Sequence, residues 1–232
     1  MNVLAIDTST HLMAVALVTN GQVVGKLTTN LPKNHSVRLM PAISKLMAEV
    51  EMSPKQLHKI VVGKGPGSYT GVRIGLTTAK SMAWALNIPV VGISSIQALA
   101  YQGRFFNSYI CPFYDARRGN VYTGMYQWKH DKLVTVYQEE NISMESWLDK
   151  LQLAGGEILF LSPDIELHKT MIIEKLPNTA IIPELIYHVL DPAHLAMAGM
   201  DEEADPTHML TPNYLRLAEA EANWIKSQKE TK

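Results

Sequence analysis

From residue 71 onward the sequence places Gly71, Gly75, Ala79 and Ala83 at every fourth position, directly behind the segment Gly65-Pro66-Gly67-Ser68-Tyr69-Thr70-Gly71. A four-residue repeat of small side chains leaves one stripe of a helix without bulk, so another element can approach its backbone closely. The glycine segment lies between a buried-strand candidate, Lys59 to Gly63, and a helix running to about Leu86. Its expected role is a tight, glycine-permitted entry into a closely packed helix. A dinucleotide-binding turn fits poorly. Pro66 removes an amide, the next strand ends Gly92-Ile93-Ser94 without an acidic residue, and the loop does not follow the first strand. The Gly-Lys-Ser/Thr of a P-loop is also missing from it.

Around this helix the pattern of elements is regular. Val3 to Ile6 and Leu12 to Val18 are short apolar runs, and Asn20-Gly21, a pair suited to a tight hairpin, separates the second from Gln22 to Thr28. A helix is expected from about His35 to Val50, then the strand at Lys59, the small-residue helix and a strand from Pro89 to Ile93. Three strands, a helix, a strand, a helix and a strand predict a mixed sheet with helical crossovers, the pattern of a ribonuclease-H-like lobe. A second three-strand opening follows at Tyr109 to Tyr114, Val121 to Trp128 and Leu133 to Gln138. After it come a helix at Ser143 to Gln152, a strand at Ile158 to Leu161 and a terminal helix at Leu215 to Lys226. The predicted class is therefore α/β with two such lobes, residues 1–103 and 104–213, and a terminal helix and tail at 214–232 packing back on the first lobe. The duplication rests on element order, since the halves share only an Asp closing each first strand, Asp7 and Asp115.

Composition removes several function classes. Twenty-one basic against twenty-two acidic residues leave a net charge of -1, so no global field draws the chain to nucleic acid or to an anionic membrane. The lone Cys111 sits in an apolar run and fits a reducing compartment. No basic leader opens the sequence and no apolar run approaches the roughly 18 residues that span a bilayer, so a soluble cytoplasmic protein is expected.

Three groups of residues have chemical potential. Asp7-Thr8-Ser9 offers a carboxylate, two hydroxyls and turn amides to a phosphate or its magnesium, and equally forms an ordinary self-bonded turn. Asp115-Ala116-Arg117-Arg118-Gly119 offers guanidiniums to a phosphate or a partner carboxylate; the alternative is a surface Asp–Arg turn pair worth at most about 1 kcal/mol. On the first long helix Leu39, Ile43, Leu46 and Val50 form one stripe, while Val37, Met40 and Met47 lie on an adjacent face. That surface is wide for a single core, and Met-rich extra faces suit adaptable protein contacts. No two of the eight histidines are four residues apart, and no metal cluster is legible.

Taken together, Val3 to Ser9, the His35 to Pro41 helix start, Gly65 to Gly75 with its Val72-Arg73-Ile74 continuation, Asp115-Ala116-Arg117 and Pro212-Asn213-Tyr214-Leu215-Arg216 resemble the bacterial TsaB (YeaZ) family of the actin-like ATPase superfamily. The resemblance spans nearly the whole chain. It implies a non-catalytic scaffold subunit, without a cofactor, needed to install threonylcarbamoyl on N6 of the adenosine beside the anticodon. The implied partners are a catalytic metal-binding paralogue, TsaD, and an ATPase, TsaE, with a homodimer when the chain is alone and tRNA reached only through the complex. The implied interface comprises Val37, Met40, Met47, Gly71, Arg73, Gly75, Ala79 and Ala83, with Asp7, Thr8, Ser9, Asp115 and Arg117 as a vestigial nucleotide site. Where the paralogue carries His-x-x-x-His, this chain has Ser95 and Leu99, which cannot replace two imidazoles. In place of the superfamily's clamp glycines stands Leu161-Ser162-Pro163-Asp164, whose carboxylate repels phosphate. The alternatives are an actin-like ATPase or small-molecule kinase and a peptidase-like hydrolase.

Overall fold

The computed structural model describes residues 1–31 and 34–216. The predicted terminal helix lies outside the described residues from residue 217 on. Strands β1 (Asn2–Asp7), β2 (Leu12–Thr19), β3 (Gln22–Asn30), β4 (Lys59–Gly63) and β5 (Val90–Ile93) form one sheet in the order β3-β2-β1-β4-β5. The three opening strands are antiparallel neighbours, and β4 and β5 add in parallel. Asn20 and Gly21 both take positive φ, 50° and 79°, as the hairpin between β2 and β3 requires.

A second sheet of β6 (Tyr109–Asp115), β7 (Asn120–Lys129), β8 (Lys132–Ser143), β9 (Ile158–Leu161) and β10 (Ala180–Ile181) repeats the same order, β8-β7-β6-β9-β10. The expected pair of α/β, ribonuclease-H-like lobes is thus present. The β8 strand continues beyond the expected Gln138 because the β7–β8 register shifts near Thr123 to Tyr126 and pairing resumes as far as Ser143.

Strand alternation sorts the side chains into three cores. Leu4, Ile6, Val15 and Leu17 point to the outer face of the first sheet, which α1 (His35–Glu49) and α2 (Tyr69–Leu86) cover with Leu39, Ile43, Leu46, Val72 and Leu76. Val3, Ala5, Ala16 and Val18 point inward to a layer shared by both lobes, built from α3 (Ser95–Ala100) and α6 (Pro192–Gly199) and closed by Ile110, Tyr114, Leu159 and Leu161 of the second sheet. The second sheet's outer face carries α4 (Met144–Gln152) and α5 (Ile165–Lys175) around Trp147 and Phe160. Each fully buried Leu, Ile or Val contributes about 1.5–3 kcal/mol, so the shared middle layer adds its own share to holding the lobes together.

Helices α3, α5 and α6 carried no legible signal because their apolar residues run around the whole helix and leave no stripe. Helix α6 rests on the first sheet, where a Cβ on Gly199 would come within 2.5 Å of Val61. The chain thus already returns to the first sheet with α6. From there Asp205 bridges Val90, Leu210 is buried beside Gly92, and the Asn213 amide donates to the Lys64 carbonyl at 2.7 Å.

The small-residue stripe of α2 is occupied from within. Gly71, Gly75, Ala79 and Ala83 are all buried in the first lobe. A Cβ on Gly71 would lie 2.2 Å from the Thr8 carbonyl oxygen, and one on Gly75 would lie 2.6 Å from Thr8 Oγ1. At Gly71 and Gly75 the element that approaches α2 is the chain's own β1–β2 turn. Gly75→Leu is therefore expected to destabilise the monomer by about 3 kcal/mol or more, read as a lower urea midpoint; an unchanged midpoint would show that the turn does not fill the stripe.

Candidate functional site

The turn after β1 and the helix after β5 meet where the lobes join, and the sequence candidates converge there. The Asp7 carboxylate is fully engaged. Its Oδ1 accepts from the Ser9 amide at 2.8 Å and the Ser9 hydroxyl at 2.7 Å, and its Oδ2 accepts from the Ser95 hydroxyl at 2.6 Å. Gly63 leaves room for it, since a Cβ there would sit 1.8 Å from Oδ2. Thr8 Oγ1 donates to the Gly71 carbonyl at 2.7 Å, and the Ser9 carbonyl accepts from the Ser68 amide at 2.6 Å. Asp7, Thr8 and Ser9 are all buried. Burial pushes the Asp7 carboxyl above its ordinary value, opposed by the hydrogen bonds from Ser95 and Ser9.

Ser95 and Leu99 stand on α3, which begins at the N-cap Ser94. The Ser95 carbonyl accepts from Tyr114 OH at 3.0 Å, and Leu99 is wholly enclosed in the shared core. Glu139 of β8 ties this helix and the chain's return segment to the second lobe. Its Oε1 accepts from the Ser94 and Tyr126 hydroxyls, and its Oε2 accepts from the Asn213 side-chain amide at 3.1 Å. Nothing in the Glu139-Glu140 pair of a half-exposed strand marks the first of them as a cross-lobe acceptor.

In the second lobe Asp115 accepts from the Arg117 amide at 3.1 Å and faces the His168 ring at 3.3 Å. Asp164 accepts from the Asp115 amide at 3.0 Å, so the carboxylate that replaces the expected clamp glycines caps the end of β6. Arg117 and Arg118 are exposed and left-handed, with φ of 65° and 56°. The structure thus brings Asp7, Thr8, Ser9 and Ser95 together in the interior and leaves Arg117 at the rim.

The proposed partner set is divided. Val37 and Met40 are 68% and 47% exposed on α1, whereas Met47 is buried with Gly71, Gly75, Ala79 and Ala83. Trp84 of α2 is 73% exposed as well and stands four residues after Lys80, on the same helix edge as Arg73. Arg73 is exposed too, its guanidinium 3.8 Å from the Tyr69 ring centroid and its Nε donating to Tyr214 OH at 2.7 Å. Among the described residues no group of three or more His, Cys, Asp or Glu could hold a metal ion, and no helix is long and apolar enough to cross a membrane.

Two joined ribonuclease-H-like lobes with the turns after β1 and β6 at their junction define a protein of the actin-like ATPase fold. Residues 22–224 match the family model described as TsaD, tRNA N6-adenosine threonylcarbamoyltransferase. A Bacillus subtilis tRNA threonylcarbamoyladenosine biosynthesis protein TsaB is 48% identical over 99% of this chain and 100% of its own length. An Escherichia coli TsaB is 30% identical over 68% of this chain and 69% of its own. A crystal structure of an uncharacterized Pseudomonas aeruginosa protein, described as similar to peptidase YeaZ, superposes with a TM-score of 0.78 at 26% identity, covering 93% of this chain and 99% of that one. The chain belongs to the TsaB (YeaZ) family.

The Asp7 environment has a pH signature. Its folded pKa lies above that of the unfolded carboxyl, near 3.9, so its contribution to stability is fully present below that value and is lost as pH rises through the folded one. Asp7→Asn lacks this loss. The urea midpoint of the variant relative to the parent is expected to rise between about pH 4 and pH 7; a constant difference would show that the carboxylate is not destabilised by burial.

Proposed function

We propose that the chain is a non-catalytic scaffold subunit in tRNA threonylcarbamoyladenosine biosynthesis, acting by pairing with a metal-binding paralogue of the TsaD type that transfers threonylcarbamoyl to N6 of the adenosine beside the anticodon. A TsaE-type ATPase completes the assembly, and the same surface joins two copies of this chain when the paralogue is absent. The observation that carries the reading is the inward use of Asp7, Thr8, Ser9 and Ser95 at the lobe junction. Asp7 spends its acceptors on Ser9 and Ser95, and Leu99 is core. A carboxylate so enclosed is poorly placed for a magnesium ion, since coordination through Oδ2 would compete with the Ser95 hydrogen bond, which contributes about 1 kcal/mol, and would require the buried turn to open.

The exposed apolar residues Val37 and Met40 give α1 a surface whose burial, at about 25 cal/mol per Å², favours pairing against the entropic cost of association. The proposed interface is thereby centred on the outward edge of α1. An ATPase or kinase reading draws on the fold alone. The hydrolase reading needs a serine hydroxyl bonded to a histidine, and the described residues contain no such pair among their hydrogen bonds.

Two measurements follow. Val37→Glu combined with Met40→Glu is expected to weaken co-purification of the paralogue at least tenfold while leaving the thermal midpoint within about 2 °C; pairing at parental strength would remove this face from the interface. Millimolar ATP with magnesium is expected to leave the midpoint of the isolated chain unchanged within about 1 °C, and a rise of many degrees would restore a nucleotide-binding role.

A further inference from the structure

The segment after α6 ends as a ridge across the junction of the lobes. Tyr214 stacks on Tyr69 with ring centroids 5.4 Å apart, and Arg73 lies between and above them, bonded to Tyr214 OH. Two residues on, Arg216 reaches the second lobe and donates to the Ala116 carbonyl at 3.1 Å. Arg117 adjoins that carbonyl, exposed, its side chain without a partner among the described residues. Three guanidiniums and two half-exposed tyrosine rings therefore form one continuous rim, from the start of α2 over the ridge to the β6–β7 turn. The Asp115 carboxylate lies beside it, accepting from the Arg117 amide and facing His168, and its charge offsets part of the rim's at that end.

The ridge has a hollow on its other flank. Asn213 and Leu215 border a cavity of about 340 Å³ whose wall includes Gln97, Thr135, Gln138 and Glu139. Amides, hydroxyls and the Glu139 carboxylate, which accepts only, offer donors and acceptors to the edge of an unpaired base, and 340 Å³ is ample for one. The rim offers what the backbone and the ring faces of such a strand need: guanidiniums for phosphates and tyrosines for stacking.

We propose that this ridge is a direct RNA contact, taking an unpaired segment of tRNA with its phosphates on Arg73, Arg117 and Arg216 and its bases against Tyr69, Tyr214 and the amide-lined hollow. This revises the expectation that RNA is reached only through the complex. A net charge of -1 makes the concentration local, so binding is weak, salt-sensitive and confined to one face. Tyr69, Arg73, Leu76 and Lys80 mark the edge of α2 turned toward the returning segment, with Lys80 donating to the Leu210 carbonyl at 2.8 Å. That edge is opposite α1, which leaves the proposed pairing face clear. Only the choice of tRNA over another RNA rests on the proposed function.

The test uses the full chain, alone and bound to its metal-binding paralogue, with a labelled anticodon stem-loop RNA. Anisotropy titrations between roughly 50 and 200 mM salt are expected to show binding that weakens as salt rises. Arg117→Gln should lower affinity about threefold and reduce the slope of log K against log salt by about one. Tyr69→Ala should lower it about tenfold, and Lys132→Gln on the far hairpin should leave it unchanged. Ultraviolet cross-linking in the complex should place RNA on peptides containing Tyr69 or Tyr214. The proposal is overturned if the parent chain does not bind, if Arg117→Gln and Tyr69→Ala bind as the parent does, or if cross-links map elsewhere. It is also overturned if these two variants lose the paralogue instead of the RNA, which would assign the rim to a protein carboxylate. Failure of the scaffold reading looks different: Val37→Glu with Met40→Glu would still pair with the paralogue, whatever the RNA result.

Discussion

The close approach of the β1–β2 turn to helix α2 is the constraint on which the rest of the molecule depends. Thr8 sits where side chains at residues 71 and 75 would otherwise project, and Ser9 sits against Gly67. Without bulk on that stripe, α2 lies down on the turn and exchanges hydrogen bonds with it through the Gly71 carbonyl and the Ser68 amide. The same contact encloses Asp7 and fixes which edges of α2 face outward. One edge turns toward α1 and the proposed partner, and the other toward the returning segment.

A pair of lobes around a cleft can open and close when little packs between them. Here α3 and α6 fill the space with a core shared by both sheets, and Glu139 gathers donors from the α3 N-cap, from β7 and from the return segment. Both lobes are thereby packed onto one middle layer. The chain's exposed chemistry lies on α1, on the outward edges of α2 and along the ridge from Tyr214 to Arg216. Those are surfaces for holding other molecules, in keeping with a supporting subunit.

Much of the fold was legible because the signals are local. Alternating strands, the Asn20-Gly21 turn and the four-residue repeat of α2 each state their own geometry, and the doubled element order gave two lobes. The helices that join the lobes were not legible, since the apolar residues of α3 and α6 form no single stripe and their burial comes from two sheets that meet only in the folded chain. At the site, Asp7, Thr8, Ser9 and Asp115 could be named from residue type, but whether they faced inward depended on Gly63, Gly67 and Ser95, distant in sequence. The small-residue stripe shows the limit most clearly. The sequence disclosed that something packs tightly on Gly71 and Gly75 and could not say whether that element came from the same chain.

The account's central claim is that this chain carries the partner surface and no reactive centre of its own. Incorporation of labelled threonine into unmodified tRNA, with the threonylcarbamoyl donor supplied, measures this directly. The account predicts no incorporation by the purified chain alone, and incorporation when the metal-binding paralogue and the ATPase are added. Turnover by the chain alone, at a rate comparable to the assembled complex, would contradict it.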